Sequence, residues 1–462
     1  MAPRSRDPLA VTVGSTPIRR RARGVGLALI LVGALAVQGR VVVDGARAYV
    51  FGYPLVIMDV TRAASALTVG PANALLRVRA FPDARFRGVV RPNVDTLYTT
   101  AFIDLAAGPL VFETAPNAVR YELFPFMDAW TNVFASPGTR SVGTHGGRYL
   151  LVGPAWRGRA PVGLTVLRAP TRMVWLIGRT QTNGAADYPL VHRLQDAVSL
   201  RPLDAARAPV TDWRSAARLP LPPAEQVRAM STEAFFTRLA GLMVDNPPTP
   251  ADAPMMRRLA ALGVAPGRPL RWSALDRWSA SLGRWIADRA VARRLRNPPN
   301  LVRGWLTPPS ILGRYGTNYE VRGAVAMVGL GANLPVDAMY PSARVDARGG
   351  ALHGSHRYRI HFAAGALPPV NAFWSVTAYG ADQALLDTGT GRFAVGDRDA
   401  LRPNPDGSLD LWVQATPPEG EARANWLPVR AGTPFLLNAR LYWPRPEALR
   451  GAWSMPAVER LD

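Results

Sequence analysis

Two short polar stretches carry the side chains best suited to acid and base work. Asn93, Asp95, Thr96 and Tyr98 fall within Arg91-Pro-Asn-Val-Asp-Thr-Leu-Tyr98, while Asp128 and Asn132 fall within Met127-Asp-Ala-Trp-Thr-Asn132. Two carboxylates flanked by amides and hydroxyls can carry acid/base chemistry if they converge at the spacing such reactions need. Arg179 adds a guanidinium for an oxyanion or a carboxylate. On this reading Asp95, Asp128 and Arg179 form the catalytic set of a metal-independent hydrolase or lyase, with one Asp expected to have a raised pKa. The same residue types also serve structure, because Asp and Asn cap turns by accepting from backbone amides.

A second set, Asn371, Trp374, Asn425 and Trp426, is of the kind that stacks a sugar ring or closes an apolar pocket. Its structural reading is a tryptophan core with satisfied amides. A cleft lined by both sets would bind a small molecule, glycan or lipid through Asn93, Thr96, Tyr98, Asn132, Asn371, Trp374, Asn425 and Trp426. His353, His356 and His361 suggest a metal cluster, but there is no Cys and no Glu at ligand spacing, so no metal is expected. Gly329-Leu-Gly331 and Thr388-Gly-Thr-Gly391 lack the acidic partner of a dinucleotide site and read as turns. No nucleophile elbow occurs, and no cofactor is expected.

Composition narrows the chemistry further. All 55 basic residues are Arg, against 33 acidic ones, giving a formal charge of +22. Without Lys there is no Schiff base, no Ser-Lys dyad and no phosphate-loop lysine; without Cys there is no thiol nucleophile, thiolate metal site or disulfide. Wholesale Arg use, with 43 Pro and 41 Gly, reads as the codon bias of a GC-rich genome. Nucleic acid is therefore not the expected partner, whereas an anionic membrane surface and a second copy of the chain stay in view.

These residues must be positioned by a chain of 462 residues that is 48% hydrophobic, enough for two or three domains. Arg19, Arg20, Arg21 and Arg23 precede an uncharged run from Val25 to Val37. That run has the length of a signal-peptide core, and Ala34-Leu-Ala36 offers a cleavage pattern. An uncleaved anchor over 24–43 is the rival, and either places the remainder in the cell envelope or outside the cell. Helical spacing then appears from Gly45 to Arg62, and short strands from Tyr121 to Ile177. Helices are expected over Thr232 to Val244 and Ala251 to Leu262. A third has Trp272, Leu275, Trp278, Leu282, Trp285 and Ile286 on its packed face, with a membrane-surface role as the alternative. Strands return at Tyr358 to Phe362, Leu409 to Val413 and Phe435 to Trp443, with Asp406-Gly407 as a hairpin turn. The fold class expected is α+β and multi-domain: a leader (1–38), a β-rich domain (46–195), a helical middle (196–318) and an antiparallel β domain (319–462). The β domains would be sandwich- or jelly-roll-like.

The motifs Pro92-Asn-Val-Asp-Thr-Leu-Tyr98, Asp128 to Asn132, Gly331-Ala-Asn-Leu-Pro335, Leu367-Pro-Pro-Val-Asn371, Asn425-Trp-Leu-Pro428 and Leu441-Tyr-Trp-Pro444 occur in one order. In this the chain resembles the tandem family of domain of unknown function 1254 followed by domain of unknown function 1214. The resemblance implies β-rich outer domains with a helical insert, often exported, and supplies no catalytic residues. The expected function is an exported, envelope-associated protein binding a ligand between its β domains. The paired-Asp enzyme and a membrane-surface or assembly protein are the alternatives.

Overall fold

The computed structural model describes residues 18–65, 71–106, 108–204, 221–296, 298 and 301–462, with side chains from residue 37 onward. Over the described residues it is an α+β fold of four sheets and a helical layer. The helices are α1 (Ile18–Ser65), α2 (Thr139–Val142), α3 (Tyr188–Asp196), α4 (Pro223–Ala229), α5 (Thr232–Asp245), α6 (Ala253–Ala261), α7 (Ala274–Arg296), α8 (Tyr319–Val328) and α9 (Pro446–Leu449).

The first sheet is built on strands Thr96–Asp104 and Met173–Gln181, antiparallel from Thr96 opposite Gln181 to Asp104 opposite Met173. Because side chains alternate across a strand, its two faces have different partners. Ala101, Ile103, Val174 and Leu176 pack on Leu110, Phe112, Tyr149 and Leu151 of the second sheet. Phe102 and Ile177 face the other way, into the core formed by α1 and its neighbouring helices. The first sheet is therefore covered on both sides, which is why its long strands are mostly buried.

Strands Val370–Gly380 and Phe435–Pro444 form the centre of the third sheet. Trp374, Val376, Ala378, Leu437, Ala439 and Leu441 meet Tyr358, Ile360, Phe362, Leu409, Leu411 and Val413 of the fourth sheet. The opposite face of the third sheet carries Phe373, Ser375, Thr377, Tyr379, Asn438, Arg440 and Tyr442, and it turns toward the first β unit.

Helix α1 passes through Pro54 without a break and is surrounded by α4 to α8. Its stretch Val37–Ser65 is long and apolar enough to cross a membrane, yet 67% of its most apolar window is buried inside the fold. It is thus a core helix as well as the C-terminal continuation of an N-terminal apolar helix compatible with a signal anchor. The side chains of Val25 to Ala36 lie outside the described residues.

Helix α5 begins where Ser231 accepts from the Ala234 amide at 3.1 Å, a side-chain N-cap. Helix α7 differs from expectation in which face it buries. Its buried residues are Ser279, Ala280, Gly283, Arg284 and Ala287, while Leu275, Trp278, Trp285 and Ile286 are exposed. The cause is the closeness of α1: a Cβ at Gly283 would stand 2.3 Å from the Val42 carbonyl oxygen. Only small side chains fit such an approach, so the tryptophans are displaced to the outside.

Two further differences concern boundaries and a turn. Strand Ser199–Pro202 pairs with Leu110–Thr114, and strand Trp305–Leu306 with Ser342–Ala343, so both belong to sheets rather than to a helical middle. Asp406-Gly407 does turn, with Gly407 at φ 82, but no strand precedes it, so it closes no hairpin.

Candidate functional site at the seam between the β units

The motif around Asp95 is a lock between the two β units. Asn93 Oδ1 accepts from the amides of Asp95 and Thr96 at 2.7 and 3.2 Å, an Asx turn, and its Nδ2 donates to Tyr442 Oη at 2.8 Å. Tyr379 Oη donates to the Pro92 carbonyl at 2.7 Å. Asp95 is fully buried; Ser375 Oγ donates to its Oδ2 at 2.7 Å, and it pairs with Arg398 and, at 3.9 Å, with Arg440. Arg398 also donates to the Thr182 carbonyl at 2.9 Å and lies 4.4 Å from the centroid of the Phe373 ring. A carboxylate withdrawn so completely from water is tolerable only because it is paired and hydrogen-bonded.

Asp128 stands at the other end of the first sheet. It is in register with Val174, whereas the Asp95 carbonyl accepts from Thr182 N at 2.9 Å. Eight residues of strand separate these levels, about 26 Å at a rise of about 3.3 Å per residue. The paired-carboxylate arrangement is therefore corrected: Asp95 and Asp128 share no substrate position. Asp128 Oδ1 instead accepts from the amides of Trp130 and Asn132 at 2.9 and 2.8 Å, and Asn132 Nδ2 donates to its Oδ2 at 3.0 Å. This cap holds Thr131 at φ 71. Burial pushes the Asp128 carboxyl up to about 6, against the opposing pull of the Asn132 bonds and the Arg322 charge.

The second predicted set does not line a cleft with the first. Trp374 points into the core between the third and fourth sheets. Asn425 accepts from Arg402 N at 2.8 Å and donates to its carbonyl at 2.7 Å, while Trp426 Nε1 donates to Gln414 O at 2.8 Å. Asn371 is exposed and donates to Trp443 O at 3.3 Å. Burial against the fourth sheet puts Trp374 on the face of the third sheet turned away from Asn93 and Tyr98, and Trp426 belongs to a strand of the fourth sheet itself.

What does converge is a niche around Arg179. Lying opposite Tyr98 across the strand pair, its guanidinium sits 5.1 Å from the Tyr98 ring centroid. Its Nη1 donates to Ile177 O at 3.0 Å and Asn333 Oδ1 at 2.6 Å, and its Nη2 to Gly331 O at 3.1 Å. Its Nε is buried and, among the described residues, without a hydrogen-bond partner. Asn333 Nδ2 in turn donates to Tyr340 Oη at 2.5 Å, and the Tyr340 ring lies 6.1 Å from that of Tyr442. Burial raises the pKa of Tyr340 and Tyr442, so their hydroxyls stay protonated and can donate. Tyr98, Trp175 and Tyr340 are partly exposed and border the niche. Arg179 is 5% exposed and, among the described residues, forms no ion pair.

Ser375, Arg398, Arg440, Tyr442, Asn333 and Tyr340 were not among the residues expected from sequence to form a site. Their signal is the alternation of Asn438, Arg440 and Tyr442 with Leu437, Ala439 and Leu441 in a strand buried on both faces. Polar groups on one covered face mark a surface where another unit docks. Among the described residues no group of three or more His, Cys, Asp or Glu side chains is placed to hold a metal ion. His361 and His356 pair with Asp410 and Asp462 at 2.7 and 3.2 Å.

The seam joins two regions already defined in other proteins. Residues 72–202 match the family described as Protein of unknown function (DUF1254), and residues 337–446 match DUF1214, in that order. The chain belongs to the family that carries these two regions in tandem. Its fold is similar to the crystal structure of the VPA0106 protein from Vibrio parahaemolyticus, with 23% identity, a TM-score of 0.68, and coverage of 91% of this chain and 100% of that one. An uncharacterized protein from Burkholderia cenocepacia is more distant, at 15% identity and a TM-score of 0.46 over 88% of this chain and 87% of that one. No curated protein matches the sequence.

Proposed function

We propose that this is an exported, envelope-associated binding protein that holds a small molecule bearing a carboxylate or similar mild negative charge against Arg179, at the seam of its β units. The observation that carries the reading is a buried guanidinium with, among the described residues, a free Nε and no counter-ion, set among protonated tyrosines. A buried charge is ordinarily paired, and a ligand carboxylate would complete the pairing. The partly exposed rings of Tyr98, Trp175 and Tyr340 suit a sugar acid, an aromatic acid or the head of a lipid. On this reading the two pairs of sheets are sandwiches that act as rigid walls, and the Arg-rich leader with its apolar run accounts for export and retention at the membrane.

The test is a thermal-shift series with sugar acids, aromatic acids and their neutral amides, on wild type and Arg179→Met. A ligand at about 100 times its Kd stabilises by about 2.7 kcal/mol. The expected result is a rise in Tm with one acid class, absent with its amide and absent in the variant. If no acid stabilises wild type and Arg179→Met is simply more stable, Arg179 is a packing residue and the reading fails.

A further inference from the structure

A second hollow lies in the helical layer, away from the seam, and its inference does not rest on the Arg179 reading. It is a groove of ≈ 1010 Å³ walled by α1, α6, α7 and α8. Its apolar lining includes Ala46, Val50, Met255, Ala287, Ala290 and Ala324, all short or flexible side chains. A smaller hollow of ≈ 320 Å³ adjoins it through the shared residue Arg258 and reaches Arg40. Together they follow α1 from Arg40 to Val50, about 15 Å of helix.

The charges along this channel are one-sided. Among the described residues Arg40, Arg47, Arg257, Arg258 and Arg294 line it, against a single acid in the lining, Glu320. Arg40 and Arg258 are engaged by Asp44, at 3.6 and 2.6 Å. For Arg47 and Arg294 there is no ion pair among the described residues, and both are exposed. A narrow apolar floor with a cationic rim complements an apolar chain that ends in an anion. The mouth at Arg40 is three residues, about 4.5 Å along the helix, beyond Val37, where the uncharged run ends.

We infer that this groove holds the acyl chain of an anionic lipid, with its headgroup at Arg47 and Arg294. The close packing of α7 on α1 fixes the groove's width. Gly45 admits the Ala280 backbone to 3.3 Å of a would-be Cβ, and Ser279 Oγ donates to Gln38 Oε1 at 2.7 Å, so the two helices run parallel along the channel. A lipid leaving the membrane beside α1 would enter at the Arg40 end and lie along the α1–α7 contact.

The experiment uses the full chain in nanodiscs of neutral lipid, a diazirine-bearing fatty acid and its methyl ester, with cross-link sites mapped by mass spectrometry. The acid should label peptides of α1 and α7 that line the groove. Ala290→Trp, a substitution at an exposed wall position, should lower that labelling about tenfold while the melting temperature is kept. Arg47→Glu with Arg294→Glu should lower labelling by the acid and leave the ester unchanged. Equal labelling of wild type and Ala290→Trp overturns the inference, as does equal labelling by acid and ester. So does a dimer by mass whose groove takes no label, because a second copy would then be the occupant.

Discussion

Asp95 and Arg398, 303 positions apart, form an ion pair that joins the DUF1254 region to the DUF1214 region. Arg440 and Ser375 complete the contacts to the carboxylate from the same side of the seam. The pair ties together two units that each have their own hydrophobic core. Removing one member leaves the other charged and poorly solvated.

Asp95→Asn should therefore destabilise the chain by about 3–5 kcal/mol, as loss of one partner of a buried pair does. The double variant Asp95→Asn with Arg398→Met should be less destabilised than the sum of the two single changes, since the stranded guanidinium is gone. Urea denaturation of the four proteins measures the coupling. A single-variant cost below about 1 kcal/mol would show that the pair contributes no more than an exposed surface ion pair.

Asp128 gives a stability signature in pH. Its folded pKa, raised to about 6 by burial, lies above the unfolded value of about 3.9. Between these values the folded state binds more protons than the unfolded state, so this group's contribution falls as pH rises through the window. Wild type minus Asp128→Asn should accordingly lose about 2–3 kcal/mol of stability between pH 4 and pH 7. Melting curves of both proteins across that range decide it, and parallel curves would mean that folding does not raise the Asp128 pKa.

The sequence shows the strands and several helices clearly because alternation and helical spacing are local. Tyr358 to Phe362 and Phe435 to Trp443 are strands, and Thr232 to Val244 lies within helix α5, as their patterns predict. The site was less legible for a physical reason. Asn93 and Asp95 have the composition of a catalytic loop, but whether an Asp meets water or an arginine depends on a turn some three hundred residues away. Likewise the tryptophans of α7 have the spacing of a packed face, and only the approach of α1 to Gly283 shows that small residues had to take that place.

That approach yields a paired prediction on two helical glycines. A Cβ at Gly283 would meet Val42 O at 2.3 Å and Ala46 N at 2.8 Å, both backbone atoms that cannot yield alone. Gly283→Ala should cost about 1–3 kcal/mol or more through overpacking. Gly241, inside α5, has nothing among the described residues within 4 Å of its would-be Cβ, so Gly241→Ala should stabilise by roughly 0.5–1 kcal/mol through helix propensity. Thermal melts of the two variants should move in opposite directions, and a neutral Gly283→Ala would contradict the close α1–α7 contact.

The tryptophans displaced by that contact stand where a membrane surface would meet them. Trp278 is 63% and Trp285 52% exposed, with Leu275 and Ile286 beside them on α7. The Arg289 guanidinium lies 4.2 Å from the Trp285 ring centroid. Since Ser279 is level with Gln38 and α7 runs parallel to α1, Leu275 and Trp278 sit beside the end of the uncharged run at Val37. Indoles at that level, backed by arginines, fit the boundary between headgroups and acyl chains. In nanodiscs containing anionic lipid, the Trp278 emission, isolated as the difference between wild type and Trp278→Phe, should be quenched by lipids brominated high on the acyl chain. A difference spectrum untouched by brominated lipid would place α7 in water, and the apolar face would then need a protein partner to explain it.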